Sequence, residues 1–360
     1  MKTLFEPFAI GPVTVRNRIV RSATLERLAD DGHITSAIVD VYETLARGGT
    51  GLIIAGMAAV EPYAGAGPTM IAAYRPEFVE EARRLTGAVH LYGACAALQI
   101  AHCGLRADPD ANGLIWGPSL LPENPDSRAL TSDDIRRITA AFGDTALRAQ
   151  DAGFDMVQLH GAHGFLLNQF LSPHFNRRED GYGGSWENRS RMLFEVYAGV
   201  RAAVGPQFPV IVKVNCSDFL PDGQTQDDFL RLSKHLAGLG IDAIEVSGGL
   251  TVEKETTPIR PGIDSPEKEA YFAPAAKILA DEVPVPVISV GGYRSYDVVR
   301  DVIENSAVAA VAFCRPLIAD PDLPSRWQAG AFETSGCICC GRCSKPHGHF
   351  YCKQIAREQV

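Results

Sequence analysis

The chain has 360 residues, of which 46% are hydrophobic and 21% are charged, a composition typical of a globular protein with ample length for a large core. The formal net charge is −9 and no Lys/Arg-rich run occurs, so we expect no nucleic-acid partner. The sequence also has no apolar stretch suited to a signal peptide or a membrane span, and its nine cysteines are too unevenly placed for a disulfide scaffold. We therefore expect a cytoplasmic protein with reduced thiols and no membrane partner.

Short apolar runs alternate along the chain with amphipathic stretches. Residues 4–15 predict a hairpin that caps the floor of the domain. Strands are predicted over residues 19–23, 51–55, 97–101, 156–160, 210–215, 243–247, 287–291 and 308–313. Helices are predicted over residues 131–152, 186–204, 227–239 and 266–280, the first beginning with Thr131 and an acidic first turn.

Eight strand–helix units with nearly continuous apolar strands predict an α/β fold, a closed (β/α)8 TIM barrel. An open doubly wound sheet is the alternative, but no G-x-G-x-x-G motif follows an early strand. We predict that the barrel spans residues 1–330. Residues 331–360 hold five cysteines and two histidines, and we predict them to be a cysteine-rich extension.

The segment 158–189 carries the clearest functional pattern. Its buried strand ends in His160 and His163, and a long polar, Gly-rich loop and a helix follow. Two imidazoles at a strand end can donate hydrogen bonds to one carbonyl or phenolate oxygen. Because barrel enzymes place their chemistry at the carboxyl ends of the strands, these histidines are predicted to be catalytic.

Other strand ends indicate a phosphate-bearing cofactor. Gly291-Gly292 and Cys314-Arg315 follow strands seven and eight, where barrels commonly bind phosphate. A strand-end Gln99 offers both a donor and an acceptor to a planar ring, and Lys213 offers positive charge to a ring that becomes anionic on reduction. Each signal also has a purely structural interpretation, and only their placement at one rim favours a binding site.

Several motifs resemble the Old Yellow Enzyme family of FMN-dependent NAD(P)H oxidoreductases over nearly the whole chain. The most specific is the strand-four motif, QLHGAHGFLLNQFLSPHFNRREDGYGGSWENRSR. The others are NRIVRSAT, GLIIAG, LQIAHCG, VGGYRS and RPLIADPDL.

The resemblance implies an FMN site and a substrate site that share one barrel rim. It implies contacts with the flavin ring from Ala23, Thr24, Leu25 and Gly56, with its pyrimidine side from Gln99 and Lys213, and with the phosphate from Gly291, Gly292, Cys314 and Arg315. His160 and His163 would bind the oxygen of a small-molecule substrate. The implied reaction is hydride transfer from NAD(P)H through FMN to the β-carbon of an α,β-unsaturated carbonyl-type acceptor.

This sequence departs from the family at the proton donor. Phe165 stands where the family usually has Tyr, and a phenyl ring cannot donate a proton. One interpretation is that water or another side chain takes over, with Tyr63, His33 and Tyr182 as candidates. The other is a reaction that needs no donor, as in a flavin-dependent isomerase or dehydrogenase. A non-catalytic redox sensor is disfavoured because sensing needs no pair of oxygen-binding histidines.

Three smaller departures concern the flavin contacts. Leu25 replaces Thr or Cys, Cys314 replaces a usual Gly, and Arg106 stands one place later than the family's Arg. Leu25 cannot hydrogen-bond, so the flavin potential is expected to differ from that of relatives. The shift of Arg106 puts its flavin contact in doubt.

The extension has the spacing C-x2-C-x2-C and then a fourth cysteine, with the predicted metal ligands being Cys337, Cys340, Cys343 and Cys352. The motif resembles the iron–sulfur site of 2,4-dienoyl-CoA reductase relatives, whose chains continue into a pyridine-nucleotide domain. Because this sequence ends at Val360, we expect no electron route to a second flavin. Structural zinc, with His347 or His349 as alternative ligands, and a metal-free remnant are the other interpretations. An extension of this kind is also expected to allow packing against a second copy in a homo-oligomer.

Overall fold

The computed structural model describes residues 2–121, 123–250, 257–343 and 352. Its strands are β1 (Phe8–Ile10), β2 (Val13–Val15), β3 (Ile19–Arg21), β4 (Leu52–Ala59), β5 (Ile71–Ala72), β6 (Cys95–Ala101), β7 (Ile115–Gly117), β8 (Ser127–Ala129), β9 (Met156–Gly161), β10 (Val210–Asn215), β11 (Ala243–Ser247), β12 (Val287–Val290) and β13 (Ala310–Phe313). Its helices are α1 (Ser36–Arg47), α2 (Phe78–His90), α3 (Ser132–Asp151), α4 (Leu166–Leu171), α5 (Trp186–Val204), α6 (Gln226–Leu239), α7 (Ala273–Glu282), α8 (Tyr296–Glu304), α9 (Arg315–Ala319) and α10 (Leu323–Gln328).

Eight parallel strands form the closed barrel that the sequence predicts, in the order β3, β4, β6, β9, β10, β11, β12 and β13. The sheet closes because β3 pairs with β13 on one side and with β4 on the other. The eight predicted strands are confirmed. Only β4 runs well beyond its predicted end, where its last residues pair with the short β5.

The helices pack around the barrel and bury the outer faces of the strands. Three of the four predicted helices are confirmed as α3, α5 and α6. A reciprocal capping box between Thr131 and Asp134 begins α3, since each side chain satisfies a backbone N–H group of the other.

The predicted helix over residues 266–280 is confirmed only in its second half. The segment divides into a single 3-10 turn, Pro266–Lys268, and the separate helix α7. Between them, Ala270 adopts a φ of 55°, which breaks the helix, and Glu269 accepts hydrogen bonds from the backbone N–H groups of Arg294 and Ser295. These contacts come from the loop after β12, which the local sequence does not reveal.

The predicted floor hairpin is confirmed as β1 and β2. Phe8, Ile10 and Val15 pack against residues at the amino ends of the barrel strands, among them Leu52 and Met156. The floor is thus closed by apolar side chains, and the opposite rim is left open for a site. In the part of the chain that the structure describes, no helix has both the length and the apolar character needed to cross a membrane.

Candidate active site

A cavity of about 370 Å³ opens at the carboxyl ends of the barrel strands. This volume lies within the range of small-molecule and cofactor sites. The predicted cofactor and catalytic residues that line it are Ala23, Thr24, Leu25, Gln99, His160, His163, Lys213, Gly291, Gly292, Cys314 and Arg315. Residues from six different strand ends therefore meet in one cavity, as the sequence predicts.

Gly56 is the predicted flavin contact that does not line this cavity. It lies within β4 rather than at its end, and its backbone N–H donates to the Tyr42 hydroxyl at 3.2 Å. A Cβ atom at Gly56 would come within 2.9 Å of the Gln99 carbonyl oxygen. The next residue, Met57, lines the cavity instead. The structure thus gives Gly56 a packing role between two strands, and Met57 the contact with the cavity.

A chain of buried polar groups forms the floor of the cavity. The Lys213 ammonium donates to the Ser22 hydroxyl at 2.7 Å and to the Glu245 carboxylate at 3.0 Å. Gln158 donates to the other Glu245 oxygen at 2.8 Å and accepts from Gln99 at 2.7 Å. An ammonium has three donors, so Lys213 retains one for a ligand. The Gln99 side-chain oxygen has no partner among the described residues.

The two predicted catalytic histidines lie side by side on the cavity wall. Their ring centroids are 5.3 Å apart, and the rings are nearly perpendicular. Neither ring nitrogen of His160 has a hydrogen-bond partner within the described ranges, whereas His163 Nε2 lies 2.7 Å from the Ser247 hydroxyl.

Burial lowers the pKa of both histidines well below its usual value, and the positive charge of Lys213 lowers it further. Both imidazoles are therefore neutral, and each can donate one N–H group.

Phe165 lines the cavity beside these histidines, with its ring centroid 4.6 Å from that of His160. The guanidinium of Arg106 lies over the Phe165 ring at 4.9 Å and donates to the His163 carbonyl oxygen at 3.0 Å. Arg106 thus supports the histidine turn and does not line the cavity. This position agrees with the expectation from the sequence that the shifted Arg106 does not make the family's usual flavin contact.

The three candidate replacement donors do not reach the cavity. Tyr63 is 55% exposed on the surface. The His33 Nδ1 atom is hydrogen-bonded to the Glu81 carboxylate at 2.6 Å, and the Tyr182 hydroxyl donates to the Glu195 carboxylate at 3.0 Å. None of the three lines the cavity in the described part of the chain, because loop position in the sequence does not reveal which loops fold over the rim.

The predicted phosphate end of the cavity combines two glycines with an arginine. Gly291 and Gly292 have φ values of 127° and 77°, a conformation that favours glycine and leaves the backbone open to close approach. Arg315 is buried and donates to the carbonyl oxygens of Cys339 at 3.3 Å and Arg260 at 2.8 Å. Its guanidinium therefore holds the start of the extension against the barrel. It also places a positive charge at this end of the cavity.

The predicted metal ligands do not form a metal site in the described part of the chain. Cys337 is buried, Cys340 is exposed, and Cys343 and Cys352 are half-buried. No group of three His, Cys, Asp or Glu residues there is placed to hold a metal ion. His347 and His349 lie outside the described residues. The metal site stays a prediction.

The described part of the extension contributes directly to the cavity. Its lining residues are Cys339, Gly341 and Cys343. The neighbouring Cys337 side chain and the positive charge of Arg315 lower the pKa of Cys339. The predicted division into a barrel and an extension stays a prediction, but this part of the extension is packed against the barrel rim.

The residues present fit an FMN molecule. The cavity joins a polar floor to an end that is lined by glycines and charged by Arg315. On the floor, Lys213 has a spare donor and the Gln99 oxygen has no partner among the described residues. The polar floor suits a planar ring that carries amide groups, and the end with the glycines and Arg315 suits a phosphate.

Several lining or supporting residues were not predicted as site residues. The lining residues are Met57, Ser247 and Tyr271, and the supporting residues are Gln158 and Glu245. A signal existed for the last two, since each places a polar side chain in an otherwise apolar strand. Tyr271 has no such signal, because the loop that carries it approaches the rim only in the folded chain.

A (β/α)8 barrel with this cofactor cavity and a histidine pair at its rim is the architecture of a flavin-dependent oxidoreductase. Residues 3–333 match the model of the NADH:flavin oxidoreductase / NADH oxidase family. An NADPH dehydrogenase of Geobacillus sp. (strain WCH70) is 34% identical over 326 residues, which cover 89% of this chain and 92% of that protein. The chain belongs to this family of FMN-dependent oxidoreductases.

The other matches include longer proteins and one of similar length. An NADH oxidase of Thermoanaerobacter brockii is 34% identical over 348 residues, which are 94% of this chain and 52% of that protein. The chain thus spans about half the length of that relative. Morphinone reductase in complex with tetrahydroNAD superposes with a TM-score of 0.77 at 27% identity and covers 97% of each chain. A 2-naphthoyl-CoA reductase complex has a TM-score of 0.85 at 23% identity over 93% of this chain and 55% of its own, which shows the fold alone.

Proposed function

We propose that this protein reduces activated C=C bonds of α,β-unsaturated carbonyl-type substrates, with NAD(P)H as the reductant and FMN as the cofactor. The observation that carries the proposal is the pair of neutral histidines on the cavity wall, with the ring nitrogens of His160 unpaired among the described residues. A reaction that places negative charge on a substrate oxygen uses such donors. A relative named morphinone reductase, solved with a nicotinamide analogue, supports this class of reaction.

The histidines would hold the carbonyl oxygen of the acceptor and stabilise its enolate-like charge. Because each is neutral, each offers an N–H group without becoming the proton source for the carbon. Gln99, Lys213 and the phosphate-end residues would hold FMN, which would supply the hydride-transfer chemistry when bound. Ser247 would orient His163 through the hydrogen bond to Nε2.

The proton for the α-carbon would come from water. Phe165 lies beside His160, where the family usually has a tyrosine hydroxyl, and the three loop candidates lie away from the cavity. We expect the protonation step to be slow for this reason. A second candidate function, a flavin-dependent isomerase or dehydrogenase, is favoured by the same residue, since neither reaction needs a hydroxyl donor at position 165.

An anaerobic stopped-flow experiment tests the proposal. The flavin absorbance of the purified protein is followed after NADH or NADPH is added, and again after cyclohexenone is added. We expect bleaching and then recovery, with no recovery when saturated cyclohexanone replaces the enone. Bleaching without recovery on any enone would contradict the proposed reaction and leave the isomerase or dehydrogenase. A purified protein that binds no flavin would contradict the cofactor as well.

A further inference from the structure

Glu245 is a fully buried carboxylate that the proposed reaction does not use directly. It lies in β11, whose five residues are all buried, and it does not line the cavity. A buried carboxylate is costly unless it is paired and hydrogen-bonded. Here it accepts from the Lys213 ammonium at 3.0 Å, from the Ser22 hydroxyl at 2.7 Å and from Gln158 at 2.8 Å. Within the described ranges, every hydrogen bond of this carboxylate is thus with the polar floor of the cavity.

The first consequence concerns the charge of that floor. Lys213 lines the cavity and Glu245 lies behind it, and their side chains are 5% and 0% exposed. The carboxylate neutralises the ammonium within a medium that screens charge poorly. The net charge that a ring on this floor meets is therefore set by two residues, and only one of them can touch the ring.

The second consequence concerns the orientation of Gln99. A carboxylate can only accept hydrogen bonds, so Gln158 must present its NH₂ group to Glu245. Its oxygen then faces Gln99 and accepts from the Gln99 NH₂ group at 2.7 Å. The Gln99 oxygen is left for the cavity, where it can accept from a ring N–H group. Glu245 thus determines, through one intervening amide, which end of Gln99 meets the cofactor.

We propose that Glu245 is a positioning residue that sets the reduction potential of the bound flavin, by balancing the charge of Lys213 and by orienting Gln99. The inference rests on the proposed FMN site. Two-electron reduction at neutral pH leaves negative charge on the pyrimidine side of the ring. An unbalanced Lys213 would stabilise that charge, so the carboxylate keeps the potential lower than the ammonium alone would allow.

The test is the variant Glu245→Gln, which keeps the size of the side chain and removes its charge. Its control is Glu282→Gln, which removes the carboxylate of the exposed Lys234–Glu282 pair at 2.9 Å. The midpoint potential of the bound flavin is measured against a reference dye. We expect the midpoint potential of Glu245→Gln to become more positive, with the preference for reduced over oxidised FMN rising at least tenfold. This corresponds to about 30 mV for a two-electron couple. The potential of Glu282→Gln should stay unchanged.

The double variant Lys213→Gln/Glu245→Gln covers the event that Glu245→Gln alone does not fold, because it removes both charges and buries no unpaired one. If Glu245 balances Lys213, the preference of this double variant for reduced over oxidised FMN should stay within tenfold of that of the wild type. A wild-type potential in Glu245→Gln, or a fall of more than tenfold in the double variant, would overturn the inference while the flavin spectrum still shows bound FMN. A wild-type protein without bound flavin would instead overturn the proposed function.

Discussion

His163 adopts a backbone φ of 63°, a conformation that is uncommon for a residue with a side chain. The Asn215 side-chain oxygen accepts from its backbone N–H at 3.2 Å, and the Ser247 hydroxyl bonds its ring at 2.7 Å. The surrounding structure thus compensates for the strained turn and aims the imidazole at the cavity. At the residue scale, the proposed role of His163 depends both on its imidazole and on the neighbours that hold it in position.

Replacing His163 by Ala should lower kcat for enone reduction by about 10²–10³-fold, because one donor to the developing negative charge is lost. Flavin absorbance should stay that of the wild type, since the proposed flavin contacts remain. The matched control is His174→Ala, which removes a histidine that lies outside the cavity and bonds Asp222 at 3.1 Å. Equal losses in the two variants would contradict the assigned role.

Replacing Phe165 by Tyr should raise the rate of C=C reduction several-fold if protonation limits turnover. The new hydroxyl would stand on the cavity wall beside His160, where the ring centroids are 4.6 Å apart. Turnover and its solvent isotope effect are measured together, with the exposed Phe332→Tyr as the control. An unchanged rate with an unchanged isotope effect would show that the donor lies elsewhere.

The turn after β9 is the element that delivers both histidines, and a buried amide network supports it. Asn215 at the end of β10 donates to the Asp218 carboxylate at 2.8 Å while it accepts from His163. Asn168 in α4 accepts from the Gly164 backbone N–H at 2.7 Å and donates to the same carboxylate at 3.2 Å. Asn215 from β10 and Asn168 from α4 therefore hold the turn after β9 in place, and both are bound to the carboxylate of Asp218.

Replacing Asn215 by Ala should destabilise the protein by about 1–3 kcal/mol, because buried groups lose their partners. It should also lower kcat by about tenfold through misplacement of His163. Urea unfolding and steady-state kinetics measure the two effects. The control is Asn305→Ala, which removes the exposed bond to Asp301 at 2.8 Å and should change neither quantity appreciably. Wild-type kinetics in Asn215→Ala would contradict the positioning role of the network.

At the scale of the whole molecule, the protonation of the two cavity histidines is coupled to folding of the barrel. Burial and the charge of Lys213 lower the pKa of His160 and His163 in the folded state. In the unfolded chain a histidine titrates near its ordinary pKa of about 6.5. Below that pH the unfolded state binds protons that the native state does not, so acid favours unfolding. Above it, these histidines contribute no pH dependence.

The free energy of unfolding should therefore fall as the pH drops below about 6.5, by up to about 1.4 kcal/mol per pH unit for each histidine. Urea unfolding at a fixed FMN concentration, between about pH 7.5 and 5.5, measures the slope. In His163→Asn the slope should be shallower. His90, whose pKa is raised by its hydrogen bond to Asp155, contributes with the opposite sign in both proteins and cancels in the comparison. Identical slopes would contradict the neutral state of His163.

Other whole-molecule properties stay predictions. These are the cytoplasmic location, a homo-oligomer, the absence of nucleic-acid and membrane partners, and a metal at the extension. The barrel itself does not depend on any of them, since its strands close on one another and its core is buried within one chain.

Local patterns were enough to predict the barrel, because strand and helix periodicity and the strand-end motifs are read from neighbouring residues. They also placed Gln99, His160, His163 and Lys213 at strand ends that line the cavity, but they did not single out Ser247, Gln158 or Glu245. The split of residues 266–280, the separation of Gly56 from the cavity and the approach of Cys339 to its wall could not be read in this way. Each depends on contacts between segments far apart in the chain, as when Glu245 in β11 meets Lys213 in β10 and Ser22 after β3. Such contacts exist only once the sheet has closed, and they decide the charge and orientation of the site.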